Sequence, residues 1–312
     1  MVRKIKLDGL YAELSAVGAL LKAATESGDF VGKFQWAKRK LALQTEISAI
    51  DSAPENGASV ALLFGGSPVV GSRGISADFA GDALDKFQDL VSKTFAKTEW
   101  GSLGERGPVP LKNSSHLMVT EVARGSFGFV LKELSDQIEI ADTALKVQVE
   151  EVATLLQRTA SPNELDFEEA ADMLDSRTLT ALKNFFVTLD SNGATLRVVE
   201  DIADYTLDAA AISRGRRRTE ATEIQEEDIL LVGTLDGVLP ARRKFEIKLE
   251  DGQTVYGSVS KEGAEQFTSI LSQGETAVGK KWTFKVRRRV IAPLNRPRRQ
   301  IDTLLEIVGP AA

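Results

Sequence analysis

Nine lysines or arginines and no acid fall within residues 280–299, the stretch GKKWTFKVRRRVIAPLNRPRRQ from Gly279, in a 312-residue chain whose formal net charge is -6. Cations at that density can neutralise phosphates, which gives a nucleic-acid affinity that falls steeply with salt. If residues 281–290 form a strand, alternation sends Trp282, Phe284, Val286 and Val290 to one face and Lys281, Thr283, Lys285, Arg287 and Arg289 to the other. A loop holding Arg296, Arg298 and Arg299 follows, its Pro293 and Pro297 opposed to helix and strand. Lys281, Lys285, Arg287, Arg289, Arg296, Arg298 and Arg299 are therefore the candidate nucleic-acid contacts.

Two other destinations compete for this row. Single-strand binders also need exposed aromatic platforms, whereas Trp282 and Phe284 fall on the inferred core face and only Tyr256 remains nearby. Cationic strands also occur to prevent edge-to-edge pairing, so a solvated strand meets the pattern equally well. The remaining destination is an acidic protein surface, including this chain's own N-terminal part. Residues 229–312 carry a net +5 and residues 1–228 a net -11, an asymmetry that speaks to partners rather than to fold.

A second chemistry is phosphate binding by GGSPVVGSRG, residues 65–74. Gly66 and Gly71 have the GxxxxG spacing and a helix follows, but the Walker Lys and Ser/Thr positions hold Ser72 and Arg73. Phosphate then relies on the helix N-terminus near Ser76, aided by Arg73. This alternative is a nucleotide or phosphate sensor, or an enzyme, in which Gly66, Gly71, Ser72, Arg73 and Ser76 share one pocket with Arg106 and His116. The structural counterpart is a tight hairpin that needs its glycines.

Other candidates are weaker. Ser114 and Ser115 beside His116 lack a third group and a GxSxG context. Arg216, Arg217 and Arg218 end a predicted helix, where cations favour its dipole. The acidic run NELDFEEAADMLD, residues 163–175, lacks an EF-hand loop and spaces its apolar residues as an amphipathic helix. With no cysteine and one histidine, disulfides, thiolate or multi-His metal sites and thiol nucleophiles are excluded. No cofactor is expected, and the balance leans away from an enzyme.

The elements that would position these residues divide into three. Leu10, Leu14, Val17, Leu21 and Ala24 recur at helical spacing, as do Trp36, Leu43, Ile47 and Ile50 after the break TESGD, which predicts an antiparallel helical hairpin. Its stripes serve either as a dimerisation or partner arm or as packing on the following domain. Next come units of two strands and a helix: SVALLFGGSPVVGSRGI before a helix through Phe79 and Phe95, a hairpin turning at residues 124–126, and a third over ATLRVVEDIADYTLD. Beyond the acidic boundary at residues 219–228, short alternating runs punctuated by Gly predict about five strands and one helix, an OB-like or SH3-like barrel.

The expected architecture is α+β: a hairpin over residues 1–52, a ββα-repeated antiparallel-sheet domain over 53–222, and a small β-barrel with a basic face over 223–312. Asp8, Glu13 and Lys22 interrupt any signal-peptide core and no membrane span is expected, so the location expected is cytoplasmic. The function expected is a non-enzymatic binding or adaptor protein of a multi-protein system, antiviral defence being the expected setting. Its partners are a protein or a second copy through the hairpin, and DNA or RNA through the barrel.

Overall fold

The computed structural model describes residues 2–52, 56–101, 103, 107–123, 127–134, 141–201, 203–239, 242–272, 277–292 and 297–311. Two long helices open the chain, α1 (Arg3–Glu26) and α2 (Phe30–Ser52). Gly28 turns the chain between them at φ 72°, a conformation that glycine adopts without a Cβ penalty. Asp29 then accepts from Gly32 N–H at 2.9 Å, so its carboxylate caps α2. Ion pairs Arg3–Asp51, Lys6–Glu46 and Glu13–Arg39 fix the antiparallel register.

Every position of the first apolar stripe is buried or half-buried, and so are Trp36, Lys40, Leu43, Ile47 and Ile50 of α2. Both stripes run at spacings of four and three, the seam geometry of a coiled coil. The helices therefore close on each other. The start of α1 reaches the next unit, where Val2 and Ile5 pack with Ala61, Leu63, Ala123, Val130 and Val199.

A five-stranded antiparallel sheet follows: β1 (Ser59–Gly66), β4 (Met118–Ala123), β5 (Phe127–Lys132), β6 (Ala194–Val199) and β7 (Asp204–Leu207), in the order β4-β5-β1-β6-β7. Period-two alternation gives β1 two buried faces. Val60, Leu62 and Phe64 meet the helices, and Ala61 and Leu63 meet the start of α1. The helical face is built from α3 (Ala77–Trp100), α4 (Ala144–Ala160), α6 (Ser176–Ser191) and α7 (Ala209–Ala221), with the short α5 (Glu164–Asp172) between α4 and α6.

The segments after β4 and after β6 are hairpins followed by helices, although the turn at 124–126 lies outside the described residues. The first segment differs. β1 pairs with β5 and β6, so the run after it finds no free edge and forms a separate ribbon of β2 (Val69–Val70) and β3 (Gly74–Ile75).

The C-terminal strands β8 (Glu223–Leu239), β9 (Lys244–Leu249), β10 (Thr254–Val259), β11 (Lys281–Ala292) and β12 (Arg299–Pro310) close into a ring, with α8 (Lys261–Ser272) before β11. Trp282, Phe284 and Val286 fill it together with Phe245, Ile247 and Leu304. The acidic segment at residues 223–228 is the start of β8 itself, with only Thr222 between it and the end of α7. Among the described residues no helix is long and apolar enough to cross a membrane.

Candidate interaction surfaces

The basic row of β11 meets an acidic ladder. β8 places Asp228 opposite Arg287, Glu227 opposite Arg288 and Glu226 opposite Arg289; oppositely charged residues facing each other across strands are mutually stabilising. Arg287 donates to Asp228 through Nε at 2.7 Å and Nη2 at 3.1 Å, and Lys285 Nζ lies 3.5 Å from the same carboxylate. The Arg287 hydrogen bonds hold the Asp228 carboxyl below its ordinary value. Lys281 pairs with Glu250 at 2.6 Å. Arg288, of opposite parity, makes a bidentate bond to buried Asp302 at 3.0 and 3.1 Å.

The far end of the row enters another part of the molecule. Arg289 donates to the carbonyls of Leu174, at 2.7 Å, and Asp172. Arg299 bonds the Glu168 carbonyl at 3.1 Å and pairs with Asp172 at 2.9 Å. Two arginines of the ring thus hold the C-terminal end of α5, where unpaired carbonyls carry the negative end of the helix dipole. Ile291 shares the parity of Arg287 and Arg289 and is fully buried in the central core, to which Ile224 of β8 also belongs. At this end the outer face of the ring is an internal joint. Val290, expected inside, is only half-buried because β11 has by then left the ring's core.

Of the seven nominated cations, Arg296 lies outside the described residues. Arg298 is exposed with no partner among them. Beside the joint lies a cleft of about 750 Å³ whose walls set Lys97, Arg243, Lys261, Arg287 and Arg289 against Glu99, Asp172, Glu226 and Glu262. Five cations against four acids make no strongly positive funnel. A different face of the ring is more open: Tyr256 on β10 is 78% exposed, and Lys244 and Lys248 are exposed on neighbouring β9, though Glu246 sits directly opposite Tyr256.

The glycine-rich loop and the histidine are not brought together. Gly66 (φ 82°) lies against Gly193, where a Cβ would come within 2.3 Å of the Gly193 carbonyl oxygen, so that glycine serves a close backbone approach. Gly71 turns the small ribbon, Ser72 and Arg73 are exposed on it, and Ser76 precedes α3 without a side-chain cap. His116 is exposed beside Gln88, which holds Ser115 O and Leu117 N. Twelve residues of α3 separate Gln88 from Ser76, about 18 Å of helix. Ser115 is buried and bonded to Ser92 and the Lys112 carbonyl, and Arg106 lies outside the described residues.

The arginines of α7 cap a helix, but a different one from that expected. Arg214 donates to the Ala160 carbonyl at 2.8 Å, and Arg218 to Thr159 at 2.8 Å and Ser161 at 2.6 Å, all at the C-terminal end of α4. Arg218 also covers the Phe167 ring at 5.2 Å.

The hairpin carries exposed apolar side chains. Phe30 is 84% exposed, Phe34 73% and Leu41 66%. With exposed Ala37 they lie at i, i+4, i+7 and i+11, a second stripe on α2 well away from the seam. That spacing was readable in the sequence but is masked there by the stronger seam pattern. Compared with protein-family models, curated proteins and solved structures, the chain finds no match in any of the three.

Proposed function

We propose that the chain is a non-enzymatic binding or adaptor protein that associates through its N-terminal hairpin, and that the hairpin of a second copy is its first partner. The supporting observation is the stripe Phe30, Phe34, Ala37 and Leu41, left in solvent by a hairpin whose own seam is already closed. A helix of 24 residues is about 36 Å long and a pair about 20 Å wide, so one face offers roughly 700 Å². Standard interfaces take about 800 Å² from each partner. Two such hairpins face to face make a four-helix bundle.

In this reading residues 1–52 are the arm, 53–222 the body and 223–312 a small barrel, in a cytoplasmic multi-protein setting for which antiviral defence is one context. The helix between the third and fourth strands of the ring, and the parallel pairing of β10 with β12, support an OB-like form over an SH3-like one. A chain without cysteine makes the test direct: Val31→Cys puts a unique thiol at the hairpin tip. Covalent dimers with a short bis-maleimide at that site, and none from Asp251→Cys in the β9–β10 turn, are expected. Equal, low yields at both positions would remove the reading.

Nucleic-acid contact by the barrel is a second reading, favoured by exposed Tyr256 between Lys244 and Lys248, because aromatic platforms flanked by cations stack single-stranded bases. Among the nominated cations, Arg298 is the one left exposed with no partner among the described residues. The phosphate-sensor alternative loses His116, which lies beside Gln88 about 18 Å along α3 from Ser76, and rests on the α3 N-terminus with Gly66, Gly71, Ser72 and Arg73 before it.

A further inference from the structure

Residues of α3, α4, α5 and α6 and of the α5–α6 turn line an open cavity of about 240 Å³ in the body, with no residue of the hairpin in its walls. Leu155, Ala170 and Leu174 give it apolar walls, and exposed Thr154 and Met173 mark its mouth. Two polar groups in the lining retain unused hydrogen-bonding capacity. Thr178 is 2% exposed and its hydroxyl is buried with no hydrogen-bond partner among the described residues. Leaving such a group unpaired costs stability compared with an apolar side chain of the same shape, so valine would serve the apo fold better. Lys97 donates to the Met173 carbonyl, and an ammonium has three donors. Burial pushes Lys97 below its ordinary value, with Asp175 and Glu151 opposing that shift and Arg289 adding to it. At the mouth, Arg158 pairs with Glu169 at 3.3 Å.

We propose that this cavity is a binding site for a small carboxylate with a compact apolar body, whose oxygens accept from Lys97 and Thr178 while the body lies against Leu155, Ala170 and Leu174. The volume sets the size class. An apolar cavity of about 150 Å³ holds benzene, so this one takes a single ring or short chain with its carboxylate and excludes a nucleotide. Arg158 is already paired with Glu169 and Asp175 accepts from the Thr178 main chain, so the anionic head is assigned to the Lys97 ammonium, which has three donors. The site stands whether or not the hairpin self-associates.

The test is fluorine NMR titration of the full chain with 4-fluorobenzoate, with 4-fluorobenzyl alcohol as the neutral counterpart. Saturable binding is expected for the acid, weakened roughly tenfold by Thr178→Val and more by Lys97→Met, consistent with the loss of a hydrogen bond to a charged group. Thr178→Val removes an unpaired hydroxyl without changing shape, so it folds at least as well as the parent and keeps the test valid should Lys97→Met fail to fold. Absence of saturation up to about 10 mM, equal affinity for acid and alcohol, or indifference to Thr178→Val would each overturn the proposal.

Discussion

The guanidinium of Arg289 on β11 donates to the main-chain carbonyl of Leu174 at 2.7 Å, across a separation of 115 residues. Replacing it with alanine leaves that carbonyl and the one at Asp172 without their donor in a partly buried joint, at a cost of about 1–3 kcal/mol. Arg289→Ala should lower the melting temperature and open the α7–β8 junction to limited proteolysis. An unchanged melting curve and digestion pattern would mean that the clamp contributes nothing.

Asp228 supplies a pH dependence with a defined sign. Its folded value lies below the ordinary 3.8 because of the Arg287 hydrogen bonds. A depressed carboxylate contributes stability that is complete above its unfolded value and is lost as pH falls through the folded one. The stability difference between the parent and Asp228→Asn should therefore be constant above about pH 5 and shrink below pH 3.8. Urea midpoints across that range test this; a gap that widens in acid would contradict it. The same substitution removes the carboxylate that Lys285 and Arg287 share, so any nucleic-acid affinity should rise with it.

Gly215 marks the crossing of α7 and α6. A Cβ there would lie 2.4 Å from Phe186 Cε1, and Phe186 is fully buried. Alanine in a helix interior gains about 1 kcal/mol over glycine, while overpacking a core costs about 1–3 kcal/mol. Gly215→Ala should therefore be destabilising in chemical denaturation, whereas an exposed helical glycine such as Gly81 should gain stability when changed to alanine.

Local patterns made most elements legible. The four-and-three spacing of Leu10, Leu14, Val17, Leu21 and Ala24 defined a seam, and alternation through Trp282, Phe284 and Val286 defined a ring strand. The destination of the basic row was harder to read, because its complement, Glu226 to Asp228, is about sixty residues earlier and meets it only through strand register. One signal was present: Ile291 carries the parity of the cations, and an apolar residue on a supposedly solvated face marks a second contact. The pairing of β1 could not be read locally either, since both its neighbours come from later in the chain. The cavity at Lys97 and Thr178 assembles four helices and leaves no motif.

The central claim is that the hairpin associates with a second copy through the outer stripe of α2. Sedimentation velocity of the full chain over a range of concentrations, beside Phe30→Ser/Phe34→Ser, tests it most directly. Both phenylalanines are largely in solvent, so the double variant should fold as stably as the parent, with surface changes worth within about 0.5 kcal/mol each. The account predicts a dimer for the parent and a monomer for the variant. A parent that sediments as a monomer throughout, indistinguishable from the variant, would contradict it.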